Sequence, residues 1–305
     1  GSIMANEVLF ANIQPLKPGE EKYAISFAIP MNTKGLKVMS RKSYEESATS
    51  SFDYPLSARY DENDALVYCD DVKVPWDRVF IYKDTETARG QFQDTYAHYM
   101  QNYQAMTRLM VKMQFQVGVA RRMCETIGTI GIPSVAEKLG HMAAQAAMVE
   151  GLVYGMESGG GMFNGYYVPD RNLMYTAQVL TQQLYPEFIT SMRELAGGGL
   201  IMLPSSAEDF TDPDLNRYIN ATQKSAIGTA EEKVKFMKLA WDCIGSEFAS
   251  RHTQYEMFYA GAQFVTRGHA MRTYDWERSS DLVDSILDKY SLSDTIGSGD
   301  KLAAE

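Results

Sequence analysis

Hydrophobic and polar positions alternate in short runs over the first part of the chain. Four such runs, each bounded by Pro, Gly or Asn, cover residues 7–13, 23–30, 35–41 and 65–72. Alternation with a period of two places one side of a strand against a core and the other in solvent, while Pro and Gly interrupt strand pairing. The pattern predicts a small antiparallel β-sheet.

From about residue 85 onward, apolar residues recur at steps of three and four. This spacing predicts helices over residues 91–130, 135–158, 173–195 and 230–258. In the first of them, Met106, Leu109, Met113 and Val117 form one apolar stripe. Because a helix of about 40 residues exceeds the usual length in globular proteins, we expect a bundle whose faces are partly buried by other subunits.

Capping signals separate the predicted helices. Ser134, with Glu137 three residues on, predicts an N-cap, and Thr229 before two glutamates predicts another helix start. The glycine run 197–199 is expected to end the third helix. We therefore expect a β domain over residues 1–84, a helical bundle over 85–290 and a flexible tail over 291–305.

The segment 55–80, PLSARYDENDALVYCDDVKVPWDRVF, marks the change from strand to helix patterns. Pro75 ends a strand pattern because it lacks a backbone N–H and restricts Val74 to extended geometry. The large apolar side chains that follow it, Trp76 and Phe80 among them, suit either the edge of a sheet or contact with a ligand.

Three segments together resemble a single family. They are FAIPMNTKGLKV at 27–38, the segment 55–80, and LAWDCIGSEFASRHTQYEMFYAG at 239–261. In order and sequence they resemble the large oxygenase component of the 4-hydroxyphenylacetate 3-hydroxylase family. The resemblance implies an α+β fold: a partial antiparallel β domain, incomplete at its N-terminus, followed by an acyl-CoA dehydrogenase-like helical bundle.

The resemblance also implies an activity. Such an oxygenase component uses FADH2 and O2 to hydroxylate a phenolic substrate, of the 4-hydroxyphenylacetate type, ortho to its hydroxyl group. A separate NAD(P)H:flavin reductase supplies reduced FAD by diffusion, and the oxygenase is expected to be a homo-oligomer, built as a tetramer. The family's catalytic side chains lie in an N-terminal region with no counterpart here, so the catalytic residues stay unknown and we expect the chain alone to be inactive.

Two other functions stay open. A non-redox flavoenzyme of the same fold, a dehydratase or isomerase, would need no reductase, and an inactive oligomerisation fragment would bind no flavin. In the related dehydratases, the position of His98 carries a cluster-binding histidine with a cysteine seven residues on, whereas this chain has Ala105 there. The difference disfavours the iron–sulfur branch, and His98 is more simply interpreted as a hydrogen-bonded helix histidine.

Glycines and one loop are the cofactor-binding residues that the resemblance implies. Glycines at 198 and 199 would let the backbone approach a flavin pyrophosphate across a subunit boundary, although a plain glycine C-cap explains them as well. The loop at 261–264 is expected to contact the flavin, and the chain's first two residues to lie near its ring. The full set is Gly1, Ser2, Gly198, Gly199, Gly261, Ala262, Gln263 and Phe264.

Residues 12–19 join two predicted strands with more residues than a tight hairpin needs. Two prolines limit the conformations of this segment, and its charges keep it in solvent, so we expect a mobile surface loop. A plain hairpin loop fits these features, while the resemblance implies a lid over the phenol. The lid residues are then Asn12, Ile13, Gln14, Pro15, Leu16, Lys17, Pro18 and Gly19.

The composition excludes several other classes. The 305 residues include 45% hydrophobic and 22% charged residues, as in ordinary soluble domains, and a net charge of -10 disfavours a nucleic-acid partner. No apolar run has the length of a membrane span, so we expect a cytoplasmic protein. Three cysteines without a CxxC pair and four histidines without HxxxH spacing predict no disulfide framework and no metal site. Arg59 and Asp61 could line a flavin groove, but a salt-bridged pair in a turn is the simpler expectation.

Overall fold

A computed structural model describes residues 5–62 and 64–291. Gly1 and Ser2 lie outside the described residues, as does the predicted tail beyond residue 291. A small antiparallel β region precedes a helical bundle along the chain. The predicted α+β class is confirmed.

The β region contains two small sheets. Its strands are β1 (Glu7–Ala11), β2 (Ile25–Pro30), β3 (Leu36–Ser40), β4 (Ala65–Cys69) and β5 (Val79–Tyr82). One sheet has the order β1-β2-β5 and the other pairs β3 with β4, all antiparallel. Each of the four predicted runs contains a strand. Strand β5 was not predicted, because it has only four residues and directly follows a turn of 3₁₀ helix.

Helices make up most of the remaining chain. Their bounds are α1 (Ser57–Tyr60), α2 (Thr85–Gln93), α3 (Ala97–Ile127), α4 (Pro133–Ser158), α5 (Arg171–Ala196), α6 (Pro213–Thr222), α7 (Ala230–Ile244), α8 (Glu247–Phe258), α9 (Gln263–Thr273) and α10 (Trp276–Leu287). Helices α3, α4 and α5 pack on one another, with α8 and α9 against α5 and α7 against α3. The part of the chain that the structure describes has no helix long and apolar enough to cross a membrane.

The single helix predicted over 91–130 is wrong. Helix α2 ends at Gln93, and Tyr96, in the left-handed region at φ 63°, separates it from α3. A non-glycine residue in this region cannot continue a right-handed helix. Gly128, at φ 83°, then ends α3 while its N–H donates to the carbonyl of Cys124.

The helix predicted over 230–258 is likewise two helices, α7 and α8. The chain turns at Gly245, where a Cβ atom would lie 2.4 Å from the Trp241 ring, so only glycine fits without a shift. Ser246 then caps α8, because its hydroxyl accepts a hydrogen bond from the N–H of Ala249 at 3.1 Å. Apolar periodicity runs unbroken through this turn, which explains the error.

The predicted helix starts had opposite outcomes. Thr229 is the N-cap of α7, as predicted, and it also forms a capping box with Glu232. Ser134 is not an N-cap: Ile132 is the flanking residue and Pro133 is the first helical residue of α4. Proline suits that place because its fixed φ matches a helix and its missing N–H would have no partner there.

A short hairpin, β6 (Gly161–Phe163) and β7 (Tyr166–Val168), follows α4 and was not predicted. Its two turn residues, Asn164 and Gly165, have φ values of 46° and 84°. This dipeptide is a strong hairpin signal, because both residues tolerate positive φ. Helices α6, α9 and α10 were also missed.

The bundle core is rich in methionine. The side chains of Met113, Met123, Met142, Met174 and Met192 are fully inaccessible to solvent. An unbranched thioether adapts to irregular gaps between crossing helices. These residues belong to one core cluster built by α3, α4 and α5, which also buries the apolar stripe of α3.

The segment 55–80 is joined to the bundle by a buried carboxylate. Asp242 of α7 is 0% exposed, and its Oδ2 accepts hydrogen bonds from the N–H groups of Leu56 at 2.8 Å and Ser57 at 2.7 Å. Its Oδ1 accepts from the Ser246 hydroxyl at 2.9 Å. These bonds satisfy the first N–H groups of α1, a task that a local N-cap usually performs.

The expected pairing of Arg59 with Asp61 is wrong. Asp61 instead forms a salt bridge with Arg41 at 2.7 Å and accepts a hydrogen bond from the N–H of Tyr44 at 2.7 Å. The Arg41 side chain crosses from the end of β3, so the pair is made between segments and not within one turn. Burial raises the pKa of Asp61, and these partners more than offset it, so the pKa is lowered overall.

Candidate functional site

A cleft of about 660 Å³ lies where the loop 12–19 meets the helical bundle. We call it the lid cleft. Its lining residues are Ile13, Pro15, Arg89, Tyr99, Arg171, Tyr175, His269, Arg272 and Thr273. The cleft thus brings two of the predicted lid residues onto a wall of aromatic and basic side chains.

Four helices position this wall. Arg89 comes from α2, Tyr99 from the first turn of α3, Tyr175 from the second turn of α5, and His269 from the second half of α9. The break at Tyr96 sets the start of α3, and Asp170 caps α5 by accepting from the N–H of Leu173 at 2.7 Å. Both helices therefore begin beside the cleft.

The loop 12–19 is held in place by hydrogen bonds at Asn12 and by packing at Leu16. The side-chain amide of Asn12 donates to the carbonyl of Tyr23 at 2.9 Å, and the Gln91 amide of α2 donates to the carbonyl of Asn12 at 3.3 Å. Leu16 packs against a small core that includes Ile81 of β5 and Ala88 of α2. The loop is thus held at two points, while Ile13 and Pro15 contribute to the cleft surface.

A chain of polar groups lies behind the cleft wall. The imidazole Nδ1 of His98 is 2.8 Å from the Tyr175 hydroxyl, and its Nε2 is 3.2 Å from the side-chain nitrogen of Asn102. Arg171 donates from Nη1 to the Tyr99 hydroxyl at 3.4 Å. The hydrogen-bonded interpretation of His98 is therefore confirmed, and the residue joins buried polar groups to the cleft.

Two flat rings stack at the cleft surface. The rings of Tyr175 and His269 are 4.7 Å apart at an angle of 8°, and Arg272 lies 2.9 Å from Nδ1 of His269. Because a guanidinium only donates, this Nδ1 accepts. Burial lowers the pKa of His269, and the charge of Arg272 lowers it further. Burial also lowers the pKa of His98 to about 4, with a smaller effect from His269.

The charge of the cleft is opposite to that of the whole chain. Three arginines line it, and no Asp or Glu is among its described lining residues, in a protein with a net charge of -10. Tyrosine hydroxyls and guanidinium groups provide hydrogen-bond donors beside aromatic faces. Such a surface suits a planar ligand that carries acceptor or anionic oxygens.

The structure does not bring all predicted cofactor residues to this cleft. Gly198 and Gly199 lie in a 3₁₀ turn (Gly197–Leu200) that follows the C-terminal end of α5, whereas Arg171 and Tyr175 lie near its N-terminal end. A helix of 26 residues is about 39 Å long at 1.5 Å per residue. Within one chain these glycines are therefore remote from the lid cleft.

The predicted loop 261–264 is partly helical. Ala262 is the N-cap of α9, and Gln263 and Phe264 are its first residues, so the prediction of a loop there is wrong beyond Ala262. Gly261, at φ 99°, makes the turn, and its carbonyl accepts from the Gln182 amide at 2.8 Å. The same helix carries His269 to the cleft about two turns later, so this segment lies closer to the cleft than the glycines do.

A second polar cluster lies elsewhere in the bundle. The carboxylate of Glu256 is buried between Arg108 at 3.2 Å and Lys112 at 2.5 Å, and His252 is 3.2 Å from the lysine nitrogen. Burial lowers the pKa of Lys112, although Glu256 opposes the effect. An adjoining, mainly apolar cavity of about 570 Å³ contains Lys112 and His252. We interpret these charges as a structural network, since both cations are already paired.

Among the described residues, no group of three or more His, Cys, Asp or Glu side chains could hold a metal ion.

Sequence reasoning missed most of the residues of the lid cleft. The ones not proposed are Arg89, Tyr99, Arg171, Tyr175, His269, Arg272 and Thr273. One signal was available: residues 95–103 contain three tyrosines and a histidine at the start of a helix. That composition is equally typical of a helix packed in a core, so it identifies no site by itself.

Comparison with known proteins gives consistent results. The family described as 4-hydroxyphenylacetate 3-hydroxylase matches in two parts, its N-terminal part over residues 1–81 and its C-terminal part over residues 88–288. The 4-hydroxyphenylacetate 3-monooxygenase oxygenase component of Pseudomonas aeruginosa is 36% identical over 255 residues, which cover 82% of this chain and 49% of the relative. The chain spans about half the length of the curated relatives it matches.

Solved structures show the same relationship. A crystal structure of an oxygenase component of 4-hydroxyphenylacetate 3-monooxygenase, complexed with FAD and 4-hydroxyphenylacetate, superposes with a TM-score of 0.86 at 32% identity and covers 93% of this chain and 60% of that one. A glutaryl-coenzyme A dehydrogenase, at 12% identity and a TM-score of 0.52 over 88% of this chain and 55% of that one, shares the fold alone. The acyl-CoA dehydrogenase-like fold is thus confirmed, and the chain belongs to the 4-hydroxyphenylacetate 3-hydroxylase family.

Proposed function

We propose that this chain provides the flavin- and phenol-binding cleft of the oxygenase component of a two-component, FADH2-dependent aromatic monooxygenase. One observation carries the proposal: a donor-rich, aromatic cleft lies directly beneath the loop that the resemblance identifies as a substrate lid. The related structure with FAD and 4-hydroxyphenylacetate bound supports the same ligand classes.

The residues of the cleft fit a flavin and a phenol. An isoalloxazine ring is planar and carries carbonyl oxygens, a dinucleotide adds phosphates, and a phenol provides one ionisable oxygen. The cleft offers stacked rings at Tyr175 and His269, hydroxyl donors, and guanidinium groups at Arg171 and Arg272. Without a lining carboxylate, nothing in the described wall repels an anionic oxygen.

Each part of the cleft then has a task. Bound reduced FAD would supply the electrons that activate O2, so that one oxygen atom enters the phenol ring ortho to its hydroxyl group. Arg171 and Arg272 hold anionic oxygens, and the Tyr99 and Tyr175 hydroxyls orient them by hydrogen bonds. The loop 12–19 excludes water, through Ile13 and Pro15, where water would otherwise reach the reacting groups.

The partners follow from the same proposal. A flavin reductase delivers reduced FAD by diffusion, and O2 and a phenol are the other substrates. The chain forms a homo-oligomer in which Gly198 and Gly199 contact the flavin of another subunit, since they are remote from the cleft of their own. Gly261, Ala262, Gln263 and Phe264 contact the flavin within the subunit.

A titration of the purified chain with FAD, followed by flavin fluorescence, tests the binding half of the proposal. We expect saturable quenching that weakens about tenfold in Arg171→Gln, because a charge-assisted hydrogen bond is lost. Arg121→Gln is the matched control, since Arg121 is an exposed arginine on α3 that pairs with Glu125. Absence of FAD binding by the unmodified chain would refute the proposed function and favour an oligomerisation module.

A coupled reaction tests the chemical half. The chain is mixed with NADH, a flavin reductase, FAD, O2 and 4-hydroxyphenylacetate, and catechol formation is followed by chromatography. We expect binding without enzyme-like turnover, because the resemblance maps none of the family's catalytic side chains onto this chain. Catechol formation at an enzyme-like rate would show that the inactivity prediction is wrong, whereas a product formed without NADH consumption would indicate a non-redox flavoenzyme.

A further inference from the structure

The buried amide of Asn102 determines the tautomer of His98. Asn102 is 2% exposed, and its Nδ2 donates to the backbone carbonyl of His98 at 2.7 Å. A carbonyl oxygen only accepts, so the amide nitrogen, and not the amide oxygen, faces this side. The same NH₂ group is 3.2 Å from Nε2 of His98, which must therefore accept the second hydrogen.

An accepting Nε2 leaves the proton on Nδ1. Burial and the neighbouring His269 disfavour a charged imidazole, since the pKa of His98 is lowered to about 4. A neutral ring carries one proton, so Nδ1–H is the donor across the 2.8 Å contact to the Tyr175 hydroxyl. His98 is thus the donor of this hydrogen bond, and the Tyr175 hydroxyl, on the cleft side, is the acceptor.

The hydrogen bonds of Tyr99 and Tyr175 show which hydroxyl protons can point to a ligand. The Tyr99 hydroxyl oxygen accepts from Arg171, and the Tyr175 hydroxyl oxygen accepts from His98. In these two contacts both hydroxyls act as acceptors, so each keeps its own proton to donate, and both tyrosines line the lid cleft.

We propose that Asn102 and His98 are positioning residues. They orient the Tyr99 and Tyr175 hydroxyls so that these donate a hydrogen bond to an anionic oxygen of an aromatic ligand in the lid cleft. The inference rests on the proposed function for the identity of that ligand, a phenolate. Neither positioning residue touches the ligand. They act through Tyr175, by preventing its hydroxyl from turning inwards to donate to His98.

The first test needs no ligand. Long-range ¹H–¹⁵N correlation spectra of the chain labelled at histidine distinguish the two neutral tautomers, and His98→Asn assigns the signal. We expect the Nδ1–H form for His98 at neutral pH and loss of that preference in Asn102→Leu. An Nε2–H tautomer or a charged ring in the unmodified chain would overturn the inference, whatever the outcome of the FAD titration.

The second test uses 4-nitrophenol, whose phenolate absorbs visible light, as the probe. We expect the FAD-loaded chain to bind the phenolate form, with roughly tenfold weaker affinity in Tyr175→Phe and His98→Phe, since a hydrogen bond to a charged group is lost. His98→Asn, which keeps a donor near the Nδ1 position, should restore most of the affinity. His141→Phe, on the exposed face of α4, is the matched control.

The variants separate positioning from simple support of the fold. Thermal melts identify any variant that fails to fold, and the rescue by His98→Asn is the result that a merely structural role does not predict. Equal phenolate affinity in Tyr175→Phe and the unmodified chain would overturn the inference. If the chain binds FAD but not 4-nitrophenol, the inference that the ligand is a phenolate is wrong. The FAD-binding part of the proposed function would still be supported.

Discussion

The buried carboxylate of Asp242 should be one of the largest single contributions to the stability of this chain. It accepts from two backbone N–H groups, of Leu56 and Ser57, and from the hydroxyls of Ser57 and Ser246. Asp242→Ala removes every one of these acceptors and leaves two N–H groups in a site that water barely reaches. Each unsatisfied buried donor costs about 1–3 kcal/mol, so we expect a loss of about 4 kcal/mol.

Asp242→Asn is the discriminating variant. It keeps one oxygen for the two N–H groups and offers its NH₂ group to the Ser246 hydroxyl, so the geometry survives while the charge is lost. A hydrogen bond to a charged group is worth about 1 kcal/mol more than a neutral one, so two bonds predict a loss of about 2 kcal/mol. The alanine variant should therefore lose about twice as much stability as the asparagine variant.

Urea unfolding followed by far-UV circular dichroism measures both losses. Hydrogen exchange adds a local readout, because the amides of Leu56 and Ser57 should lose protection before the rest of the bundle does. Asp281→Ala, at an exposed position on α10, is the control and should change stability by less than about 0.5 kcal/mol. A loss below about 1 kcal/mol in Asp242→Ala would refute the reasoning, because it would mean that water or a rearranged backbone satisfies the two donors.

Three further predictions concern charge and backbone conformation. Glu256→Gln should lower the free energy of unfolding by about 3–5 kcal/mol in urea unfolding, since it leaves the two cations of the buried network without their counter-charge; a change under 1 kcal/mol would contradict this. His98 and His252 have pKa values lowered to about 4, below the unfolded value of 6.5. The unfolded state therefore takes up protons first, so stability should fall as the pH drops from 6.5 towards 4 and should stay level above pH 6.5. Melting temperatures measured across this range should show this slope, and replacing both histidines with Phe should flatten it. Gly165→Ala should lower the free energy of unfolding by about 1 kcal/mol, because φ is 84° while nothing crowds the new methyl group. Gly161→Ala, in the neighbouring strand, is the control: it is also uncrowded but has an ordinary φ, so it should lower stability less. Equal melting temperatures for the two variants would show that backbone strain is absent.

Local signals in the sequence were sufficient for part of the fold. The four alternating runs each contain a strand, and the Thr229 capping box starts α7 where predicted, because in each case the decisive contacts lie within a few residues. The breaks at Tyr96 and Gly245 were missed because apolar periodicity continues across them. What ends those helices is a left-handed residue in one case and close packing on Trp241 in the other. By contrast, the Asn164–Gly165 turn carried its own signal and was predictable.

The lid cleft was beyond local reasoning. Its wall combines Arg89, Tyr99, Tyr175 and His269, which come from four helices and are up to 180 positions apart in the chain. No spacing rule joins them, because their proximity arises from how α3, α5 and α9 pack on one another. The loop 12–19 was selected by its family resemblance and its length, and the sequence offered no means to place it over these side chains.

The segment 55–80, the lid and the cleft wall depend on one another through a few apolar contacts. The segment leads into β5, which pairs with β2, and α2 follows β5 after a short turn. Leu16 packs on Ile81 of β5 and Ala88 of α2, and Arg89, the next residue along α2, lines the cleft. Because the anchor of the lid and one wall of the cleft are adjacent residues of one helix, a shift of α2 must move both together. The strand and turn that first identify the family therefore also set how far the loop 12–19 lies from the cleft wall.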